Sequence, residues 1–165
     1  MARVMRDNTD LIEPPALYDS VSYRLRLIQI AAYKSFEKQV SGFGSAPRYY
    51  GVLKLVQANP GIHQMRLAEA IYLDRSSLVP IIDTLSKEGW LERRVTSHDR
   101  RVKRLFLTDQ GEQDLAALDT EVDRHEAMMT SGFSSNEKTR LLRDMARIDA
   151  NLRSYLVDSK GGPEA

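Results

Sequence analysis

Basic side chains crowd one short stretch of this chain, and such a cluster can bind phosphate groups. Between Arg93 and Arg104 the sequence has six Lys or Arg and one acid, Asp99, which gives the segment a net charge of +5. The whole chain carries +1, so the remaining residues carry −4. A basic patch on an otherwise mildly acidic protein is the electrostatic footprint of a phosphate-binding surface. The alternative is a segment that is merely solvated by its charges. The six basic residues are Arg93, Arg94, Arg100, Arg101, Lys103 and Arg104.

Residues that would support catalysis or metal binding do not cluster in the sequence. The chain has no cysteine, which excludes disulfides, thiol nucleophiles and Cys-type zinc sites. Its three histidines, His63, His98 and His125, are far apart and lack the spacing of a metal site such as H-E-x-x-H. No serine elbow, phosphate-cradling glycine loop or paired-acid motif stands out. We therefore predict a protein that is not an enzyme and has no metal or cofactor.

The basic stretch follows a predicted amphipathic helix. Asp74 or Ser76 can cap the start of this helix, and Gly89 can take the left-handed conformation that ends it. Trp90 is then expected to fold back onto Leu85. Pro80 removes one helix N–H at a cost of up to ~3 kcal/mol in a helix interior, which favours a start near Ser76 or Ser77. The apolar positions recur at i, i+3, i+4 and i+7, as on one buried face, and they are Leu78, Ile81, Ile82 and Leu85.

A two-stranded hairpin with a polar loop is predicted after Trp90. Two runs rich in β-branched and apolar residues, 91–96 and 102–108, flank the polar segment 97–101. The basic residues lie on these runs and on the loop between them. The sequence therefore predicts a basic hairpin, here defined as residues 91–108, directly after the helix.

Helical periodicity is predicted on both sides of these elements. Residues 1–16 have no helical period and are predicted to be a flexible arm, as is the tail 159–165. A long helix is predicted from Leu17 to Val40, and Ser45 is expected to cap a second one with Pro47 in its first turn. Further helices are predicted over residues 63–71, after a Thr108 cap, and from Leu141 to Tyr155. The helix after Thr108 has an apolar stripe at Leu115, Leu118, Val122, His125 and Met129.

Several motifs in this order resemble those of the MarR family of winged helix-turn-helix transcription regulators. Residues 64–71 with 74–78 look like the family's helix-turn-helix, and Tyr72 stands in its turn where a small or left-handed-tolerant residue is common. The segment 85–89, the motif Asp99-Arg-Arg101 and the segment 107–111 match the remaining signatures. The resemblance implies a mainly α fold with a small β-wing. It implies one regulator domain over 17–158, with dimerisation helices at 17–44 and 109–158 around a DNA-binding part at 46–108.

The resemblance also assigns candidate DNA contacts. Arg75, Ser76 and Ser77 would meet base edges or phosphates at the start of the recognition helix. Val79 and Pro80 stand where a hydroxyl and an arginine are common, which reduces hydrogen-bonding readout and leaves Val79 to contact a thymine methyl. In the wing, Arg101 would enter the minor groove and Asp99 would orient it through a salt bridge. The remaining basic residues would meet phosphates or be solvated, and they are Arg100, Lys103 and Arg104.

Two partners besides DNA are expected. The resemblance implies a homodimer on a palindromic operator, whereas packing of the long helices within one chain is the alternative. Tyrosines near arginines in the first two helices can bind planar anions, or can serve ordinary interface packing. They resemble a subset of the family associated with aromatic-acid breakdown, which implies an aromatic carboxylate or its CoA thioester as effector. The candidate effector residues are Tyr23, Arg24, Arg26, Tyr49, Tyr50 and His125.

Together these expectations predict a repressor of transcription that a ligand releases from its operator DNA. A DNA-binding protein that responds to no ligand, or a winged-helix module that binds protein, remains the alternative. No apolar run approaches the roughly 18 residues that span a bilayer, and the N-terminus carries Arg3, Arg6, Asp7 and Asp10 without an apolar signal core. We therefore expect a cytoplasmic protein with no membrane partner.

Overall fold

The computed structural model describes residues 3–4, 12–96 and 99–158 of the chain. Contacts divide the chain into two compact units, Met1–His125 and Glu126–Ala165. None of the described helices combines the length and the apolar content that crossing a bilayer requires. The predicted tail, 159–165, lies outside the described residues.

The N-terminal segment of the first unit has structure where the sequence suggested an arm. Strand β1, Arg3–Val4, pairs antiparallel with β2, Ile12–Glu13. Helix α1, Pro15–Tyr18, is followed by α2, Val21–Gln39, so the single helix predicted from Leu17 to Val40 is divided near Ser20. The physical reason is a second cap, because the Ser20 hydroxyl accepts the backbone N–H of Tyr23 and starts a new helix there.

A compact group of short elements follows α2. A 3-10 turn, Ala46–Tyr49, leads into helix α3, Tyr50–Ala58, and then come strand β3, Ile62–His63, and helix α4, Gln64–Ala70. Helix α5, Arg75–Lys87, precedes strands β4, Leu91–Thr96, and β5, Asp99–Leu107. The three strands form an antiparallel sheet in the order β3-β5-β4. The mainly α fold with a small β-wing is therefore confirmed.

The hydrophobic core lies between α3, α4, α5 and the sheet. Three of the four apolar positions predicted on α5, Leu78, Ile82 and Leu85, are completely buried, and the fourth, Ile81, packs against the core from a half-buried position. Trp90 is also buried, as expected of a residue that folds back beneath the helix. Fully buried residues from the neighbouring elements complete the core, and they are Leu53, Leu67, Leu105, Leu115 and Leu118.

Three other local predictions for this unit were also wrong. Ser45 makes no cap bond with its own helix, because its backbone is helical, with φ −87° and ψ −8°, rather than extended as at a cap, and its hydroxyl donates to Glu88. His63 lies in β3 opposite Arg104 and not in the helix that follows. Strand β5 begins at Asp99, earlier than the predicted position 102, and a register shift between Val95 and Thr96 accommodates the longer strand.

Helix α6, Asp109–Met129, begins with the predicted cap. The Thr108 hydroxyl accepts the backbone N–H of Gly111 at 2.8 Å, which confirms Thr108 as the capping residue. Leu115, Leu118 and His125 are buried along the predicted stripe. Met129 is exposed, so the buried part of the stripe ends one turn earlier than predicted.

Helix α7, Ser135–Asp158, belongs to the second unit. A capping box starts it, because the Ser134 hydroxyl accepts the N–H of Glu137 while the Glu137 carboxylate accepts the N–H and the hydroxyl of Ser134. The same bonds hold the pKa of Glu137 below its ordinary value. Several large apolar side chains of α7 are exposed, and these are Leu141, Leu142, Met145, Leu152, Tyr155 and Leu156.

Candidate nucleic-acid interface

The start of α5 is fixed by Asp74. Its carboxylate accepts the backbone N–H of Ser77 at 2.7 Å and the hydroxyl of Ser76 at 2.6 Å. These bonds, that of Ser76 first, lower the pKa of Asp74. Of the two predicted caps, Asp74 and Ser76, Asp74 is the one observed, but the helix begins at Arg75 and not at Ser76 or Ser77. Because Ser76 donates its only hydroxyl proton to Asp74, its oxygen can offer only lone pairs to an external ligand.

The candidate reading residues share the first turns of α5. Arg75, Ser76, Ser77 and Pro80 are exposed, and Val79 is half-buried. Pro80 is the sixth residue of the helix, so it lies in the interior and not in the first turn as expected. It has no N–H to donate to the carbonyl of Ser76, the normal partner four residues earlier. Of these residues, Arg75 carries the guanidinium donors, whereas the hydroxyls of Ser76 and Ser77 both bond to Asp74.

The end of α5 is fixed by Gly89. Its φ of 84° is left-handed, as the sequence predicted. The N–H of Trp90 donates to the carbonyl of Leu85 at 2.9 Å, and the N–H of Gly89 donates to the carbonyl of Ser86 at 3.2 Å. These two bonds form a Schellman motif, which directs the chain from α5 into β4. The basic hairpin therefore starts at a defined angle to the helix.

The turn between α4 and α5 contains a strained residue. Tyr72 has a φ of 57°, and it is the only described residue other than glycine with positive φ. The left-handed conformation disfavours a side chain with a Cβ, by roughly 1–2 kcal/mol. Tyr72 therefore adopts, at this cost, the left-handed conformation for which a small or left-handed-tolerant residue was expected.

Three of the six basic hairpin residues are engaged within the protein. Arg93 forms an ion pair with Asp83 of α5 at 2.6 Å. Arg94 pairs with Glu92 and lies 4.6 Å from the ring centroid of Phe106. Arg104 donates to the carbonyl of Gly61 at 2.9 Å. Arg93 and Arg104 hold the hairpin against α5 and the segment before β3, whereas Arg94 contacts residues of the hairpin itself. Because acids pair with Arg93 and Arg94, the net charge of the segment overstates the positive charge available to phosphates.

The tip of the hairpin holds the other predicted contacts. Asp99, Arg100, Arg101 and Lys103 belong to β5, whose backbone pairs with β4. Their side chains lie outside the part of the chain that the structure describes, and so does His98. Their assignment to DNA stays a prediction. The pairing of the two strands places Asp99 opposite Thr96 and Lys103 opposite Val95, at the end of the hairpin where β4 turns into β5.

The predicted effector residues are distributed over several contacts. Arg24 forms an ion pair with the buried carboxylate of Glu13 at 3.0 Å and donates to the carbonyl of Tyr18 at 3.0 Å. Its guanidinium is therefore already bound to a carboxylate of the same chain. Tyr23 is half-buried, and Arg26 is exposed.

Tyr50 and His125 have partners of their own. The Tyr50 hydroxyl donates to Asp119 at 2.7 Å, and burial together with this bond raises the pKa of Tyr50. Ser35 donates its hydroxyl proton to the carbonyl of Ala32, so at its 2.7 Å contact with His125 the Ser35 oxygen must accept from Nε2–H. His125 is buried, with the ring of Phe36 at 5.0 Å between centroids. Both residues stabilise the packing of α6.

Arg48, which the sequence did not single out, lies over two tyrosine rings. Its guanidinium carbon lies 5.8 Å from the ring centroids of both Tyr33 and Tyr49. Tyr33 also donates its hydroxyl to Glu37 at 2.5 Å. Of the predicted effector residues only Tyr49 joins this group. Arg48 and Tyr33 are 15 positions apart with a loop between them, so neither helical spacing nor a motif could have linked them.

A cleft lies in the first unit, apart from the predicted effector residues. A cleft of about 330 Å³ lies between α3, the sheet and the start of α6. It contains none of the predicted effector residues. Among the described residues, no group of three or more His, Asp or Glu side chains could hold a metal ion. The cleft is lined by Val56, Gln57, Pro60, Arg94, Phe106, Leu107, Asp109 and Glu112.

Comparisons with known proteins find a consistent group of relatives. A model of the MarR family matches residues 43–102, which include α3 to β5 up to the hairpin tip. The putative transcriptional regulatory protein for the hcr operon of Thauera aromatica is 32% identical over 156 residues, which cover 88% of this chain and 94% of that protein.

Solved structures extend the likeness to the fold. The transcriptional repressor CouR bound to a 23-mer DNA duplex has a TM-score of 0.77 and 29% identity, covering 84% of this chain and 99% of that one. CouR bound to p-coumaroyl-CoA has a TM-score of 0.74 and 28% identity, covering 83% of this chain and 96% of that one. The chain is thus similar to a repressor seen both with DNA and with an aryl-CoA ligand.

Proposed function

Because this chain belongs to the MarR family, we propose that it is a ligand-responsive transcriptional repressor that is released from a palindromic operator by a small aromatic effector. The observation that carries the proposal is the capped helix α5, whose exposed first turns stand beside a basic hairpin in a fold shared with DNA-bound CouR. The family and the fold are those of DNA-binding transcriptional regulators. A protein that reads DNA must share its compartment, so we propose a cytoplasmic location.

In the proposed complex α5 occupies the major groove and the hairpin tip reaches the neighbouring minor groove. Arg75 pairs with guanine and Val79 contacts a thymine methyl, while Ser77 meets a phosphate or a base edge. With Pro80 in place of a donor, groove shape supplies a larger share of specificity. Arg101 enters the minor groove and is oriented by Asp99, and Arg100 and Lys103 contact phosphates.

The test of this assignment is an operator titration of variants at the hairpin tip. A footprint on the DNA upstream of the protein's own gene would define the operator. Arg101→Ala should weaken operator binding by ~1–3 kcal/mol without unfolding the protein, because a minor-groove contact and a charge are lost. Asp99→Ala should have a smaller effect. Unchanged operator affinity of Arg101→Ala at physiological salt would refute the role given to the hairpin tip.

We propose a homodimer as the form that binds DNA. The helices expected to form the dimer are those within 17–44 and 109–158, and the DNA-binding part is 46–108. Support comes from the exposed apolar side chains of α7, which a second copy would cover. A two-fold dimer would place its recognition helices about 34–36 Å apart, so half-sites should be ~10 bp apart from centre to centre. A footprint that protects only one half-site would contradict this arrangement.

The proposed effector is an aromatic carboxylate or its CoA thioester. Support comes from the resemblance to CouR, which binds p-coumaroyl-CoA, and from the cation and two tyrosine rings grouped at Arg48. Arg48 rather than Arg24 is the cation we expect to meet the ligand's negative charge, because Glu13 already neutralises Arg24. A ligand that favours the non-binding state by ~1–3 kcal/mol would lower operator affinity about 5- to 150-fold.

Calorimetric titration can test the effector class. The panel consists of benzoates, hydroxycinnamates and their CoA thioesters, and each binder is then added to the operator complex. Arg48→Ala should weaken binding, and Arg26→Ala tests the other predicted arginine. Arg66→Ala, at an exposed arginine of α4, is the matched control. Arg24→Ala measures how far ligand binding depends on the ion pair between Arg24 and Glu13. If no compound bound, or if binding left the operator complex intact, the effector class would be discarded while the DNA-binding function would stand.

A further inference from the structure

The carboxylate of Glu88 joins the end of α5 to the segment that follows α2. One oxygen, Oε2, accepts the backbone N–H of Ser45 at 3.0 Å and the Ser45 hydroxyl at 2.8 Å. Glu88 is the residue that ends α5, and Ser45 directly precedes the 3-10 turn that leads into α3. The two residues are 43 positions apart in the chain. These bonds therefore connect segments that no local sequence pattern links.

Two neighbouring contacts reinforce this connection. Gly44 has a φ of 56°, a left-handed conformation that favours glycine, and a Cβ built on it would lie 2.9 Å from Glu88 Oε2, so the segment passes close to the end of the Glu88 side chain. On the other side of Gly89, the rings of Phe43 and Trp90 are 6.4 Å apart and inclined at 35°. The group Phe43, Gly44, Ser45, Glu88 and Trp90 is called the Ser45 clamp below.

The negative charge of Glu88 is unfavourable for its own helix, α5, but favourable for the contact with Ser45. A negative charge at a helix C-terminus is disfavoured by the helix dipole. At Ser45, in contrast, the carboxylate accepts a backbone N–H at the start of the 3-10 turn Ala46–Tyr49, where a negative charge is favoured. The position of this acid therefore serves the attachment of α5 to a distant segment.

We propose that Glu88 is a positioning residue for DNA reading, which sets the orientation of α5 through the Ser45 clamp and couples it to α2. Residues 43–45 of the clamp begin four residues after the end of α2, and α2 contributes Tyr33 to the contact with Arg48. A displacement of α2 would therefore move the point at which α5 is held. This inference rests on the proposed function, because it assumes that α5 reads DNA.

The test separates the hydrogen bonds of Glu88 from its charge. Glu88→Ala loses both, whereas Glu88→Gln loses the charge but keeps an oxygen that can accept both bonds from Ser45. Removing an acid should by itself strengthen binding to DNA. The proposal instead predicts that Glu88→Ala lowers operator affinity about tenfold, which is the loss expected for a charge-assisted contact. Glu88→Gln should keep most of the wild-type affinity. Glu69→Gln, at an exposed acid of α4, controls for charge alone.

Two further readouts distinguish positioning from loss of folding. Affinity for unrelated duplexes, and its salt dependence, should be the same in Glu88→Ala and Glu88→Gln, since neither changes the cationic residues. Trp90 is the only tryptophan, so its fluorescence reports directly on the clamp. We expect Glu88→Ala and Ser45→Ala to shift this emission, and the double variant to bind the operator no more weakly than Glu88→Ala.

The outcomes decide between the inference and the proposed function. Equal operator affinities of Glu88→Ala and Glu88→Gln would overturn the positioning role, even if unfolding and Trp90 emission changed, because Glu88 would then be only structural. If the wild-type protein bound no duplex, the proposed function would fail and the positioning role with it. A Trp90 shift in that case would show that the clamp exists without a role in DNA reading.

Discussion

Arginines of equal charge have different surroundings in this protein, and this difference makes a prediction at the scale of single residues. Arg75 is exposed on α5, whereas Arg93 is paired with Asp83 and its side chain is 23% exposed. Arg75→Ala should weaken operator binding by ~1–3 kcal/mol and leave stability unchanged. Arg93→Ala should lower the free energy of unfolding by up to about 1 kcal/mol, since the pair is partly solvated. Urea unfolding and anisotropy titration of both variants measure the two effects.

The matched pair also defines the result that would contradict this reading. If Arg93→Ala reduced operator affinity as much as Arg75→Ala without changing stability, Arg93 would be a DNA contact and its bond to Asp83 would have to open in the complex. The sequence could not separate these residues, because a count of charges treats them alike. Their roles depend on Asp83 and on the packing of β4 against α5, which the fold alone defines.

At the scale of elements, Pro80 makes a prediction about α5. A proline in a helix interior removes a hydrogen bond and crowds the preceding turn. Pro80→Ala would supply the N–H that the Ser76 carbonyl lacks, and should raise the free energy of unfolding by ~1–3 kcal/mol. Thermal and urea unfolding measure this change, with Pro60→Ala, in the exposed loop after α3, as a control that restores no helical bond. If the two substitutions changed the free energy of unfolding equally, Pro80 would not destabilise α5.

The cap of α5 predicts a pH dependence. Hydrogen bonds from Ser76 and Ser77 lower the pKa of Asp74 from its ordinary value of 3.8, so the folded state favours the carboxylate. The stability that Asp74 contributes is therefore fully present above this ordinary value and is lost as pH falls through the lowered pKa. The difference in unfolding free energy between wild type and Asp74→Ala should shrink on acidification. Asp74→Asn, which can cap without titrating, should show no such trend relative to Asp74→Ala.

Elements defined by local chemistry could be predicted from the sequence, and those defined by distant partners could not. Asp74, Gly89 and Thr108 act on backbone groups within a few residues, so their types sufficed to predict the end of α5 and the start of α6, and to name Asp74 as one of two possible caps of α5. Ser45 also has a side chain that can cap a helix, but its hydroxyl donates to Glu88, which is 43 residues away in the chain. Strand β3 has two residues and exists only because β5 pairs with it.

At the scale of the whole molecule, the fold followed from the ordered motifs of the MarR family, while the candidate effector site followed from them only in part. Tyr49 was predicted, and Tyr33 was among the tyrosines of the first two helices expected near the effector, but Arg48 was missed, since its contact with Tyr33 arises where α2 and the 3-10 turn approach each other. Arg24 was predicted to hold an effector carboxylate, and it holds Glu13. The residue type was informative about the chemistry, whereas the choice of partner required the tertiary structure.

The second unit predicts the assembly state. Leu142 and Leu152 of α7 are each 57% exposed, and apolar side chains at such positions are stabilised by a partner that covers them. Burial of a leucine contributes about 1.5–3 kcal/mol, and a two-fold interface counts each residue twice. We expect Leu142→Glu with Leu152→Glu to convert a dimer into a monomer in sedimentation velocity, and to abolish simultaneous protection of both half-sites.

A matched substitution on the same helix isolates the effect of the apolar stripe. Arg140→Glu changes the charge of an exposed position without removing apolar surface, so this variant should remain a dimer. Truncation before Leu141 should give the same monomer as the double leucine variant, because both remove the stripe. A double variant that still sedimented as a dimer with full operator affinity would place the dimer contacts outside α7, and the exposed leucines would then need a different partner.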